Sequence, residues 1–363
     1  MLRKLFFLLV LLSACKGSTQ EAINAQMPIV GLSDAQLALI HENTREFPNG
    51  TQLAIALIDG PKTLFYGVER RQDTLFTVNN ADALFEIGSI TKVFTATLLA
   101  QEVVEGRLSL DQKVVELLDM KFNAGNDITL GQLASHTSGM KRLPGNLFRY
   151  VSDQNNPYKN YDLEALYDFL TNTIELNKKK EYDYSNTGVA LLGHALSVYL
   201  EKSYQELIHS RILKPLQMTS TVFGAENAAE KLVAGLNPNG EPTSNWDLNI
   251  HAPAGGLISS VADLEKFARN QFDSQNKAGA LSRKKIAPVR EERAVALGWH
   301  INTATPGLTL FGHSGGTGGY TSVIQVDADQ KKAVIILSNV SAFHKQSVNV
   351  RQLGGMHLMK TLY

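Results

Sequence analysis

Cysteine is nearly absent from this 363-residue chain: Cys15 is the only one, so no disulfide can form within it. Neither sign of charge is in excess. With 35 Lys+Arg against 35 Asp+Glu, there is no electrostatic case for a nucleic acid or a polyanionic partner. The apolar run at the start, Leu5 to Leu12, has only eight residues, whereas a membrane-spanning helix needs roughly 20. None of the nine histidines falls in an H-E-x-x-H pattern, which argues against a metalloenzyme. Internal repeats and low-complexity stretches are lacking too.

What is present begins with an address. Met1 to Lys4 is basic, Leu5 to Leu12 is apolar, and Leu12-Ser13-Ala14-Cys15 resembles a bacterial lipobox. Residues 1–14 therefore read as a lipoprotein signal peptide, Cys15 as the lipid-modified residue, and 15–27 as a flexible tether. The expectation is an exported, membrane-anchored protein facing the periplasm or the cell exterior. Residues 28–363 remain for one catalytic domain. Their length suffices for a large core, and 44% hydrophobic with 19% charged residues is ordinary for a globular protein.

The stretch Phe85-Glu86-Ile87-Gly88-Ser89-Ile90-Thr91-Lys92 puts a serine and a lysine at i and i+3, neighbours on one helix face. Val93 to Val104 is apolar enough for a central buried helix, ended by Gly106. A helix start disfavours a cation and burial adds to that, so Lys92 is expected to be neutral enough to take the Ser89 proton. Spacing alone decides nothing. Ser13/Lys16, Ser138/Lys141, Ser274/Lys277 and Ser282/Lys285 share it, and only Ser89 has a flexible glycine before it and a buried helix after it.

Tyr184-Ser185-Asn186 comes next, and positions i and i+2 of an extended or turning segment face the same way. Tyr184 is a candidate proton relay and Asn186 a candidate partner for a substrate amide. His313-Ser314-Gly315 then lies between strand-like runs at 308–311 and 320–326. Glycines at 315, 316, 318 and 319 leave room for a substrate backbone to lie alongside as an added edge.

These three motifs, in this order, resemble the active-site motifs of the serine β-lactamase and penicillin-binding protein superfamily, in particular its class C β-lactamase-like branch. Ile128 to Gly139 and Pro253 to Leu264 are similar to further family segments, and the matches run from about residue 50 to about residue 340. The resemblance implies a serine hydrolase that forms an acyl-enzyme on amide or ester bonds of a β-lactam, a D-amino-acid peptide or an ester. No metal or cofactor is implied. Ser89, Lys92, Tyr184 and His313 would be catalytic; the backbone N–H groups of Ser89 and Gly316 would form the oxyanion hole; Asn186 and Ser314 would bind substrate. His136 and Ser138 are assigned to the fold. The commonest family pattern has lysine where this chain has His313, a side chain only partly charged near neutral pH. That weakens the expectation of a substrate carboxylate, and the family's esterases and D-amino-acid peptidases share the histidine. Partners would be a small-molecule or peptidoglycan-peptide substrate, the membrane through Cys15, and no nucleic acid, with the protein a monomer.

A coarse pass predicts a helix at 34–46, strands at 53–58 and 63–68, helices from 89 to 270, and strands at 295–301, 308–312, 320–326 and 333–338. This order suggests an α/β (α+β) sandwich: an antiparallel sheet where the two chain ends meet, flanked by terminal helices, with an all-helical subdomain inserted. The aromatic segment 142–161 is a candidate cleft wall. Two rivals stand beside this reading. Gly312-His313-Ser314-Gly315-Gly316 fits the G-x-S-x-G elbow of an α/β-hydrolase, but such an elbow must lead into a helix, and a strand pattern follows. A non-catalytic cell-wall-binding or sensing protein of the same fold is the other.

Overall fold

The computed structural model describes residues 23–24, 31–177, 179–304 and 307–363. The signal segment, Cys15 and most of the tether lie outside them. Among the described residues, thirteen strands follow in chain order: β1 (Ile23–Asn24), β2 (Gln52–Asp59), β3 (Lys62–Arg71), β4 (Thr74–Val78), β5 (Phe85–Glu86), β6 (Val222–Phe223), β7 (Leu257–Ser259), β8 (Ala287–Arg290), β9 (Arg293–Val295), β10 (His300–Asn302), β11 (Leu310–Gly316), β12 (Thr321–Asp327) and β13 (Lys332–Ser338). Ten of them form one sheet in the order β1-β4-β3-β2-β13-β12-β11-β10-β9-β8, antiparallel except where β1 meets β4. The two ends of the chain join at β2 and β13, paired from Lys332↔Asp59 to Ser338↔Leu53.

Strand β2 is apolar on both faces because both are covered. Ala54, Ala56 and Ile58 enter the core shared with the inserted helices, while Leu53, Ile55 and Leu57 enter a second core with Leu37 and Ile40 of α1 (Asp34–Thr44) and with the C-terminal helices. Ser33 caps α1 with a capping box closed by Gln36. The central helix α2 (Thr91–Val104) is buried nearly all round, and Phe94 stacks on Phe267 at 4.2 Å. Gly106 follows at φ +74°, in the conformation that lets a chain leave a helix.

The structure adds strands β4 and β8 that the sequence reading did not place, and three further features depart from it. A small sheet, β5-β7-β6, joins the segment before Ser89 to residues 257–259, inside what was expected to be all helix. The strand expected at 295–301 is broken at Gly298 (φ +71°), where a Cβ would stand 2.8 Å from the Lys92 carbonyl oxygen. Backbone crowding by α2 forces that turn. Strand β11 also runs on to Gly316, so His313, Ser314 and Gly315 lie within a strand rather than between two.

Candidate active site

The turn that carries Ser89 is built by close backbone contact. Gly88 to Ile90 form one 3-10 turn leading into α2. Gly88 sits at φ +49°, and a Cβ there would lie 2.6 Å from the backbone N of Gly316; a Cβ on Gly315 would collide with the Ile87 carbonyl at 1.9 Å. Glycine at both positions lets β11 lie directly against the turn that carries Ser89. Ser322 Oγ, on β12, donates to the Ile87 carbonyl at 2.8 Å and ties the turn to the sheet.

Lys92 Nζ is 2.9 Å from Ser89 Oγ and donates to the Ala254 carbonyl at 2.5 Å. It is almost wholly buried, and burial, helped by the nearby Arg142 charge, drives its pKa well below that of an ordinary lysine. The 253–264 segment, read from sequence as part of the fold, thus supplies the carbonyl that holds the lysine.

Tyr184 lines the same cleft as this serine, and its ring centroid lies 5.0 Å from Lys92 Nζ. Burial pushes this phenol up, so it stays protonated. The motif is clamped from behind by residues 136–142. The Ser185 N–H donates to His136 Nδ1 (3.2 Å), Ser185 Oγ donates to the Lys141 carbonyl (2.9 Å), and the Asn186 N–H donates to the Arg142 carbonyl (3.0 Å). Ser185 also caps the helix Asn186–Tyr199 by accepting from the Gly188 N–H. The ring of His136 lies 4.5 Å from that of Tyr184.

Across the cleft, Nδ1 of buried His313 lies 2.8 Å from the Ser314 carbonyl, and its Nε2 has no partner. Burial first, then the His300 and Lys92 charges, hold its pKa well below the usual histidine range. The partly charged side chain expected from sequence is therefore corrected to a neutral one. Ser314, paired with Val323 in mid-strand, occupies no strand-to-helix elbow. Among the serine/lysine pairs that share the spacing, Lys141 is instead bonded to Glu175, and Ser282 donates to the Gly279 carbonyl.

Ser89, Tyr184, Asn186, His313, Ser314 and Gly316 all line one cleft of about 610 Å³. Lys92 lies behind Ser89. Arg142, Leu143 and Tyr158, from the segment anticipated as a wall, line it as well. So do residues that the sequence did not single out: Trp246, Arg293, His300, Phe343 and Arg351. A chamber of about 20 Å³ opens beside Ser89, where buried His251 presents two unpartnered ring nitrogens. Burial lowers the pKa of that imidazole to about 3.

Such a fold, with a Ser-x-x-Lys turn facing a Tyr-x-Asn helix start and a glycine-rich strand, defines a protein of the β-lactamase and penicillin-binding protein class. A family model described as Beta-lactamase matches residues 44–353, and the chain belongs to that family. Penicillin-binding protein 4 of Amycolatopsis lactamdurans is 27% identical over 287 residues, covering 71% of this chain and 72% of the relative. Protein flp of Staphylococcus aureus is 29% identical over 277 residues; the same share of this chain spans 53% of that relative, about half its length. A class C β-lactamase from Rhodobacter sphaeroides superposes with TM-score 0.75 at 20% identity, over 91% of this chain and 99% of that one. The D-stereospecific amidohydrolase from a Streptomyces species gives TM-score 0.72 at 23% identity, over 90% and 99%. At these identities the two structures speak to the fold.

Proposed function

We propose that the chain is a serine hydrolase that forms an acyl-enzyme on Ser89, with amides or esters as substrates. The observation that carries this reading is the buried Lys92 amine 2.9 Å from Ser89 Oγ. The environments of Lys92 and Tyr184 push their pKa values in opposite directions, the amine down and the phenol up. The base is therefore the neutral lysine rather than a phenolate. With one N–H given to the Ala254 carbonyl, the lysine lone pair faces Ser89 and takes its proton as Oγ attacks the substrate carbonyl.

The tetrahedral oxyanion is stabilised by the N–H groups of Ser89 and Gly316, brought together by the glycine contact between turn and strand. Tyr184, still protonated, passes a proton to the departing group and is re-protonated through Lys92. Water then attacks the acyl-serine carbonyl; Lys92 takes the water proton and returns one to Oγ as the C–O bond breaks. His313, neutral and buried, contributes shape and a polar atom rather than charge. Asn186 offers an unpartnered Oδ1 to a substrate N–H.

The same proposal places the protein outside the cytoplasm, tethered by a lipid on Cys15. Cys15→Ser should leave it unanchored, and full membrane retention of that variant would contradict the tether. Substrate class is tested by a panel of a chromogenic cephalosporin, a p-nitrophenyl ester and a D-alanyl peptide. Turnover of at least one of them, lost in Ser89→Ala, is expected. A protein that binds cell-wall peptides but neither turns over nor acylates on any of the three is a sensor, not a hydrolase.

A further inference from the structure

The cleft described above does not end at His313. A side groove of about 420 Å³ leads off between strands β8–β12 and the C-terminal helices, and it shares Arg293, His300, His313, Ser314 and Arg351 with the cleft. Arg290 joins Arg293 and Arg351 in lining it. Neither cavity is lined by any aspartate or glutamate.

Among the described residues, none of the three arginines makes an ion pair. Arg351 is half-buried, and its one side-chain hydrogen bond is a long contact with Ser347 Oγ at 3.4 Å. Glu291 and Glu292, in the turn between Arg290 and Arg293, are exposed and do not line the groove. An ordinary basic surface has acidic neighbours and solvent around each guanidinium. Here positive charge is gathered from two separate parts of the chain, exposed Arg290 and half-buried Arg293 on one side and half-buried Arg351 on the other, into one groove that opens into the cleft lined by Ser89. Collecting uncompensated cations in a partly buried groove is unfavourable unless an anion fills it, and the planar guanidinium is the side chain best matched to an oxyanion.

We infer that Arg290, Arg293 and Arg351 form an anion-binding subsite, so that the substrate of this enzyme carries a carboxylate or phosphate group held away from the bond that Ser89 attacks. This deepens the serine-hydrolase reading and rests on it for the word substrate, but not for binding. The selecting charge comes from the arginine groove and not from position 313, where the sequence places the family's lysine-for-histidine difference. Gln325 and Asn302 line the same groove and offer amide N–H groups to the anion's remaining lone pairs.

Binding without turnover tests this independently of catalysis. Titrating the full chain carrying Ser89→Ala with inorganic phosphate and, separately, with glutarate should give saturable, salt-sensitive binding of at least one. Binding of phosphate alone assigns a phosphoryl group to the substrate, and binding of glutarate alone a carboxylate. Adding Arg293→Gln or Arg351→Gln should weaken that binding roughly 10- to 100-fold, the worth of hydrogen bonds to a charged group. Arg351→Lys, which keeps the charge and loses the two-pronged contact, should weaken it less than the glutamine change. It also serves as the check if Arg351→Gln does not fold. No saturable binding of either anion, or binding unaltered by the folded arginine variants, would overturn the subsite. Neither result would touch the acyl-enzyme reading.

Discussion

The floor and the rim of the cleft are built on opposite principles. On the floor, Ser89, Lys92 and Gly315 are fixed by backbone contacts so close that side chains had to be removed to make them. At the rim, Arg142 and Phe343 are exposed and Arg293 and Arg351 half-buried, held by few bonds. Chemistry needs positions fixed to a fraction of an ångström, and packing provides that. Selection of substrate tolerates looser groups that reach into water.

If this division holds, floor substitutions cost far more than rim substitutions. Ser89→Ala should lower kcat/KM by roughly 10⁴-fold or more, while Ser314→Ala retains most turnover. Comparable loss in the two would break the comparison at its base. Lys92→Met, which keeps the stem and removes the base, should cost about 10²- to 10⁴-fold, read as kcat/KM on an ester. Gly315→Ala tests the close contact without touching a reacting group. Its Cβ must displace the Ile87 carbonyl, so a loss of about 1–3 kcal/mol of stability in denaturant titration is expected, with turnover falling alongside.

Smallest is the effect of Arg142→Gln on the pH profile. The Arg142 charge helps hold the Lys92 pKa down, so its removal lets the lysine keep its proton to higher pH. If neutral Lys92 is the active form, as the proposed mechanism requires, the acid limb of kcat/KM should move to higher pH while the plateau changes little. A shift to lower pH would show that Lys92 is not the group titrating.

The contrast between floor and rim also separates what the sequence shows from what it hides. Ser89 and Lys92 were legible because a helix fixes their spacing locally, and Tyr184 because a buried helix follows its motif at once. Strands β2 and β13 were legible as continuous apolar runs, since a sheet covered on both faces needs no polar alternation. The break at Gly298 was not, because it answers to the carbonyl of Lys92, some two hundred residues away in the chain. Nor was the gathering of Arg142, Arg293 and Arg351, each ordinary in its local sequence and notable only when the fold places them around one cavity. His136, read from the sequence as part of the fold, accepts from the Ser185 N–H and so helps hold the segment that carries Tyr184.

The central claim is that this packing makes Ser89 the acylated residue. Incubating the protein with a fluorophosphonate probe and mapping the adduct by peptide mass spectrometry tests it directly. The account predicts one adduct, on the peptide containing Ser89, that still forms in Ser314→Ala; an adduct on Ser314, or labelling that persists in Ser89→Ala, would contradict it.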